Sequence, residues 1–193
     1  TPKPSSAASD VYKRQGRACA RIASLGYAVP GTVLAIGLLT PFVWIDHAVA
    51  SVFGGPGLFL MGSMGALVIA YVIRFLAIST GALEAGLARI PPSLEQASRL
   101  LGESSAGTLR RVHLPLLRPA LAASALLVFV DAMKELPATL LLRPMNFDTL
   151  ATWLYAEAAR GTYEEGAVAA LAIVLAGLLP VILLARTNLK MGH

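Results

Sequence analysis

Three ionisable residues stand together in an otherwise apolar stretch, Asp131, Lys134 and Glu135 within LLVFVDAMKELPATLLL. Spacings of three and four place all three on one face of a helix. Ionisable groups in a long apolar segment are costly to keep there and point to function by default. Two carboxylates beside one ammonium offer hard oxygen ligands, which suits attraction of a cation at the mouth of a pathway. The competing reading is that Lys134 neutralises one acid and the group anchors a helix end before Pro137. Charge costs little near an interface, which favours the second reading.

Other polar residues offer less. Arg74 falls near the end of an apolar run, where a guanidinium reaches headgroups along its own stem. Asp46-His47 is an adjacent pair beside Trp44, and two neighbours do not have a metal-site spacing. His113 lies between Arg111 and Pro115, at a partner or lipid surface. No metal site and no cofactor is expected. GGPG at 54–57 is a turn rather than a phosphate cradle, because no Lys-Ser or Lys-Thr follows it. Neither a nucleophile elbow nor a zincin pattern occurs. The chain is therefore expected to be no enzyme and to hydrolyse no ATP itself.

The elements that must position these residues are set by composition. Of 193 residues, 56% are hydrophobic and 14% charged, and mean hydropathy is +0.68. A soluble domain carries nearer a quarter charged residues, so the class is a polytopic, all-α transmembrane bundle. Four apolar stretches are long enough to span a bilayer as helices, near 22–44, 58–79, 116–136 and 167–185. The first contains Gly26, Pro30-Gly31, Gly37 and Pro41, breakers that a membrane tolerates when neighbouring helices satisfy the freed backbone groups. Residues 1–15 are polar and unpatterned, and DVYKRQ resembles translated sequencing-adapter read-through. They are read as non-native or as a disordered tail, with the chain truncated upstream. The single cysteine, Cys19, excludes an internal disulfide.

Lys and Arg set the orientation. If the loop at 93–119 is cytoplasmic, residues 1–21, 80–118 and the tail put twelve of the sixteen basic residues inside, and only Arg143 and Arg160 lie in outer loops. That asymmetry follows the positive-inside rule, and it explains the net charge of +5 without nucleic acid. The C-terminus is then cytoplasmic too. Residues 138–160 lie outside, where they either meet a partner or pack on the rim of the bundle.

The loop itself, SLEQASRLLGESSAGTLRRVHLPLLRP at 93–119, is patterned. Pro91-Pro92 stops what precedes it. Ser93 and Gln96 have the spacing of a capping box. Leu94, Ala97 and Leu101 share a face, with Glu95 and Arg99 paired beside it. Gly102 tolerates the positive φ that ends a helix. This predicts a helix of about 12–13 Å, then a second short helix capped by Ser104 or Ser105 and a bend at Pro115 and Pro119. An exposed apolar face of this kind suits a partner's groove and suits the lipid surface equally.

The same loop resembles the EAA loop of binding-protein-dependent ABC importer permeases, whose pattern is EAA, three residues, Gly, nine residues, Ile-x-Leu-Pro. Gln96-Ala97-Ser98 take the EAA positions, Gly102 the glycine, Val112 the isoleucine and Leu114-Pro115 the Leu-Pro. Gln96, Ser98 and Val112 depart from the pattern, and Glu95 supplies an acid one residue early. GYAVPGTVLAIGLL, MKELPATLLLRP and FDTLAT are similar to the iron(III) branch, and the resemblance covers 16–186. Related branches carry thiamine, polyamines or phosphonates.

The resemblance implies a type I importer permease fold in a bacterial or archaeal inner membrane. It implies a cytoplasmic ATPase docked on the loop, an extracytoplasmic binding protein, and a second permease half, often fused upstream. Two other classes compete: a secondary transporter or channel, which needs mid-membrane carboxylates for coupling, and a structural membrane protein with no ATPase contact.

Overall fold

The computed structural model describes residues 6–55 and 57–190. In chain order the helices are α1 (Ser6–Ala28), α2 (Gly31–Phe53), α3 (Met64–Ala88), α4 (Pro92–Leu100), α5 (Ser105–Thr108), a π-helical turn (Leu109–His113), α6 (Leu114–Met133), α7 (Pro137–Leu142), α8 (Leu150–Arg160) and α9 (Tyr163–Lys190). No strand occurs among the described residues. Among the described residues four helical stretches are long and apolar enough to cross a membrane: Gly31–Phe53, Met64–Ala88, Ser105–Met133 and Tyr163–Ile182. Large apolar side chains such as Trp44, Val52, Val68, Val72, Leu175 and Leu179 point outward, as faces that meet acyl chains require.

Small residues bring the helices together. The core joins Ala35 and Phe42 of α2, Ala66, Leu67 and Ala70 of α3, and Ala138 and Leu142 of α7. Gly86 of α3 faces Leu117 and Ala120 of α6 so closely that an added methyl carbon would sit 2.8 and 3.0 Å from their side chains. Gly26 of α1 is pressed against the backbone carbonyl of Ile73. Such contacts replace the hydrophobic drive that lipid does not supply.

The helix bounds correct several expectations. The stretch 22–44 is not one helix: it divides at Val29-Pro30, because Pro30 has no N–H to continue α1 and takes an extended ψ of 139°. The stretch 58–79 begins as a turn, and α3 starts only at Met64, capped by the Ser63 hydroxyl accepting from the Ala66 amide. α6 ends at Met133, before 136, and it continues backward through the π turn into α5. Residues 167–185 lie within α9. Residues 6–15, read as a tail, belong to α1, and no proline or glycine between Ser6 and Gln15 interrupts it. Residues 1–5 lie outside the described residues.

Candidate functional site: the exposed loop and a buried ion pair

α4 starts at Pro92, whose fixed φ suits the first helical position. Its N-cap is therefore Pro91, and the expected Ser93–Gln96 capping box does not form: with the helix already begun, Ser93 lies inside its first turn. Glu95 and Arg99 pair across one turn at 2.5 Å. Leu101 closes the helix, and Gly102 takes φ +82°, the left-handed value anticipated for it. Ser104 caps α5 by accepting from the Gly107 amide at 3.1 Å.

Ser98 is buried, and its hydroxyl lies 2.9 Å from that of Thr108, fastening α4 to α5. Glu103 pairs with Arg111 across the turn. The opposite face of α4 is open. Gln96 and Ala97 are exposed, Leu100 is 89% exposed and Leu101 84%. The EAA-like positions are thus split: Gln96 and Ala97 face outward, while Ser98 faces α5.

The bend expected at Pro115 takes another form. Pro115 offers no amide to the helix and would crowd a carbonyl one turn back. The turn before it widens to π geometry, with the Leu114 amide bonding the Leu109 carbonyl. α5, the π turn and α6 therefore run as one helix of 29 residues. Val112 is half-buried, while Leu114 and Pro115 are exposed at the start of α6.

Asp131, Lys134 and Glu135 do not form one constellation. Lys134 bonds Asp131 at 2.8 Å and stays largely exposed, and the Tyr27 hydroxyl lies 3.5 Å from the other Asp131 oxygen. Glu135 lies beyond the end of α6 and turns away into the bundle. There it meets Arg74 at 2.8 Å, with side-chain exposures of 7% and 18%. Arg74 does not snorkel: it also donates to the Val29 carbonyl at 2.9 Å. The breaker at Pro30 is thus tolerated because a specific neighbour serves a carbonyl beside it. The second Glu135 oxygen accepts from the Ala138 amide at 3.3 Å. Gly31 completes the enclosure, since a methyl carbon there would sit 2.5 Å from Glu135 Oε1.

Asp46 also turns inward. It is 1% exposed and accepts from the amides of Phe59, Leu60 and Met61 at 3.1, 2.7 and 2.9 Å, folding residues 59–61 back onto α2. Among the described residues no group of three or more His, Cys, Asp or Glu could hold a metal ion. In the α8–α9 hairpin, Glu157 is buried and accepts from the Thr162 hydroxyl at 2.5 Å. That bond, together with Arg160 and against the effect of burial, holds its carboxyl below the usual glutamate range.

Sequence reasoning missed the inward roles of Arg74 and Asp46, and a signal for both was present. Arg74 follows buried Leu67 and Ala70 by seven and four residues, and Asp46 follows buried Ala35 and Phe42 by eleven and four. Each lies on the stripe that its helix buries.

Residues 5–189 match the pattern of the binding-protein-dependent transport system inner membrane component. The chain belongs to that family. It is 31% identical over 170 residues to the Fe(3+)-transport system permease protein FbpB 2 of Haemophilus influenzae, covering 88% of this chain and 31% of the relative. It is 28% identical over 166 residues to PhnV of Salmonella typhimurium, named for 2-aminoethylphosphonate transport, covering 86% of this chain and 58% of the relative. Over 89 residues it is 38% identical to the ferric transport system permease protein FbpB of Actinobacillus pleuropneumoniae, covering 46% of this chain and 13% of the relative. The chain thus spans under a third of FbpB 2 and under two thirds of PhnV. Its helices and four candidate spans agree with membership of a membrane-component family.

Proposed function

We propose that this chain is part of the membrane pathway of an ABC importer for iron(III), driven by a separate ATPase through the 92–108 loop. The observation that carries the coupling role is the exposed face of α4. Gln96, Ala97, Leu100 and Leu101 are open on a helix whose other side is fastened by Ser98 to Thr108. A short rigid helix with a free apolar face fits a groove on a soluble partner. The excess of Lys and Arg on that side supports a cytoplasmic loop and C-terminus. A binding protein then delivers cargo from the other side, and a second permease half completes the pathway.

Iron(III) as cargo is supported by the relatives named for ferric transport. PhnV supports a second reading, in which the same machine carries a phosphonate. Uptake by the reconstituted full-length transporter, with ferric ion and 2-aminoethylphosphonate offered separately, decides between them. For the coupling role, Ala97→Cys in the full-length transporter should crosslink to the ATPase subunit, whereas Ser98→Cys should react slowly because that side chain faces α5. Equal labelling of Ala97→Cys by lipid-phase reagents, with no ATPase adduct, would leave α4 as a lipid-surface helix.

A further inference from the structure

Two helix breaks face each other across the unbroken α3. One lies between α1 and α2, at Val29-Pro30, and the other between α6 and α7, at 134–136. Arg74 of α3 touches both, bonding the Val29 carbonyl at 2.9 Å and Glu135 at 2.8 Å. Gly31, the first residue of α2, sits directly on the pair, 2.5 Å from Glu135 Oε1 and 3.4 Å from Arg74 Cζ if given a methyl carbon. Glu135 in turn is the second residue beyond α6. That helix continues without interruption back to Thr108, which bonds Ser98 of α4. A chain of direct contacts therefore leads from the exposed face of α4 to the α1–α2 break, and one ion pair is its last joint.

We infer that the Arg74–Glu135 pair is a positioning joint, passing displacement of the 92–108 loop to the α1–α2 break by moving Glu135 with the end of α6. The inference rests on the coupling role proposed above for the loop. The helix of 29 residues is continuous over about 43 Å at 1.5 Å per residue, with Pro119 inside it. Its π turn, beside the loop, is where helical register can shift. An open apolar cleft of about 260 Å³, lined by Tyr71, Val72, Phe75, Val128 and Ala132, separates α3 from α6 along the same face. Arg74 holds Glu135 through Nε and Val29 through Nη1, so one planar guanidinium ties both segments together and a shift of Glu135 carries to Val29. A half-parted buried pair is costly, so the joint favours two discrete arrangements over a continuum.

The test uses the full-length permease reconstituted with its ATPase and ferric-loaded binding protein in proteoliposomes. The readout is the ratio of binding-protein-stimulated to basal ATP hydrolysis. Glu135→Gln keeps the size of the side chain, and Arg74→Met removes the donor. Each should lower the ratio by about fivefold or more in the assembled complex. The double variant should be no worse than the worse single one, since the residues act as one joint. A purely structural pair would lower thermal stability but leave the ratio unchanged, and that result overturns the joint. Absence of both single variants from the assembled complex also overturns it, leaving a folding element. A wild-type complex that hydrolyses no ATP and is stimulated by neither a ferric-loaded nor a phosphonate-loaded binding protein would instead reject the coupling role itself, and the joint with it.

Discussion

The loop at 92–113 and the junction around Arg74 both carry ion pairs, and the two could hardly be used more differently. Glu95–Arg99 and Glu103–Arg111 are local and solvent-facing, within one or two turns of chain. Arg74–Glu135 joins residues 61 apart, is enclosed, and has Arg74 Nη1 and Glu135 Oε1 served by Val29 and Ala138. Exposed pairs contribute about 0–1 kcal/mol, because water screens them and long side chains lose freedom. A buried pair adds little net stability either, but removing one partner strands the other charge. The loop therefore tolerates charge and presents a surface, whereas the junction uses charge to fix where three segments meet.

Glu135→Ala is the most direct way to break the comparison. It leaves the Arg74 guanidinium enclosed without a counter-charge and should cost about 3–5 kcal/mol, read as the unfolding midpoint in detergent. Gly31→Val comes next. Its side chain must displace the carboxylate of Glu135, and we expect a loss of about 1–3 kcal/mol by the same measurement. Asp46→Ala removes the acceptor shared by three amides of the 59–61 turn. Local opening by about 1–3 kcal/mol should appear as faster proteolytic nicking between 54 and 62.

Glu157 stands between the two extremes, a buried carboxylate with an exposed arginine partner. Its folded pKa is depressed, so its contribution is complete above the ordinary glutamate pKa and is lost as pH falls through the folded value. Unfolding midpoints measured down an acid series should fall for the wild type and fall less for Glu157→Gln. The smallest effects belong to the loop. Ser98→Ala should cost about 1 kcal/mol, seen as faster amide exchange in α4 and α5. Glu95→Gln should stay within about 0.5 kcal/mol. A large loss from Glu95→Gln, or a negligible one from Glu135→Ala, would erase the distinction.

Local features of the fold were legible. Gly102 as a helix terminator, the Glu95–Arg99 pair and the Ser104 cap all follow from short-range residue chemistry. The Ser93–Gln96 box failed for an equally local reason: Pro92 begins the helix first. The capping box that does form, Thr149 with Thr152, lacks the Glu or Gln that marks the motif in sequence. In the cluster at 131–135 Lys134 does neutralise Asp131, but Glu135 leaves their face because the chain turns after α6 ends at Met133.

The sequence by itself determined the membrane class, the apolar segments, the patterned loop and the family. Those properties reside in composition and in spacings of a few residues. Only the tertiary structure decided that Arg74 serves Val29 and Glu135, that Asp46 holds a distant turn, and that Ser98 turns inward while Ala97 turns out. A buried polar group must be satisfied, and sequence states that need. Which partner satisfies it depends on neighbours brought together from tens of residues away, and that is settled only when the helices pack.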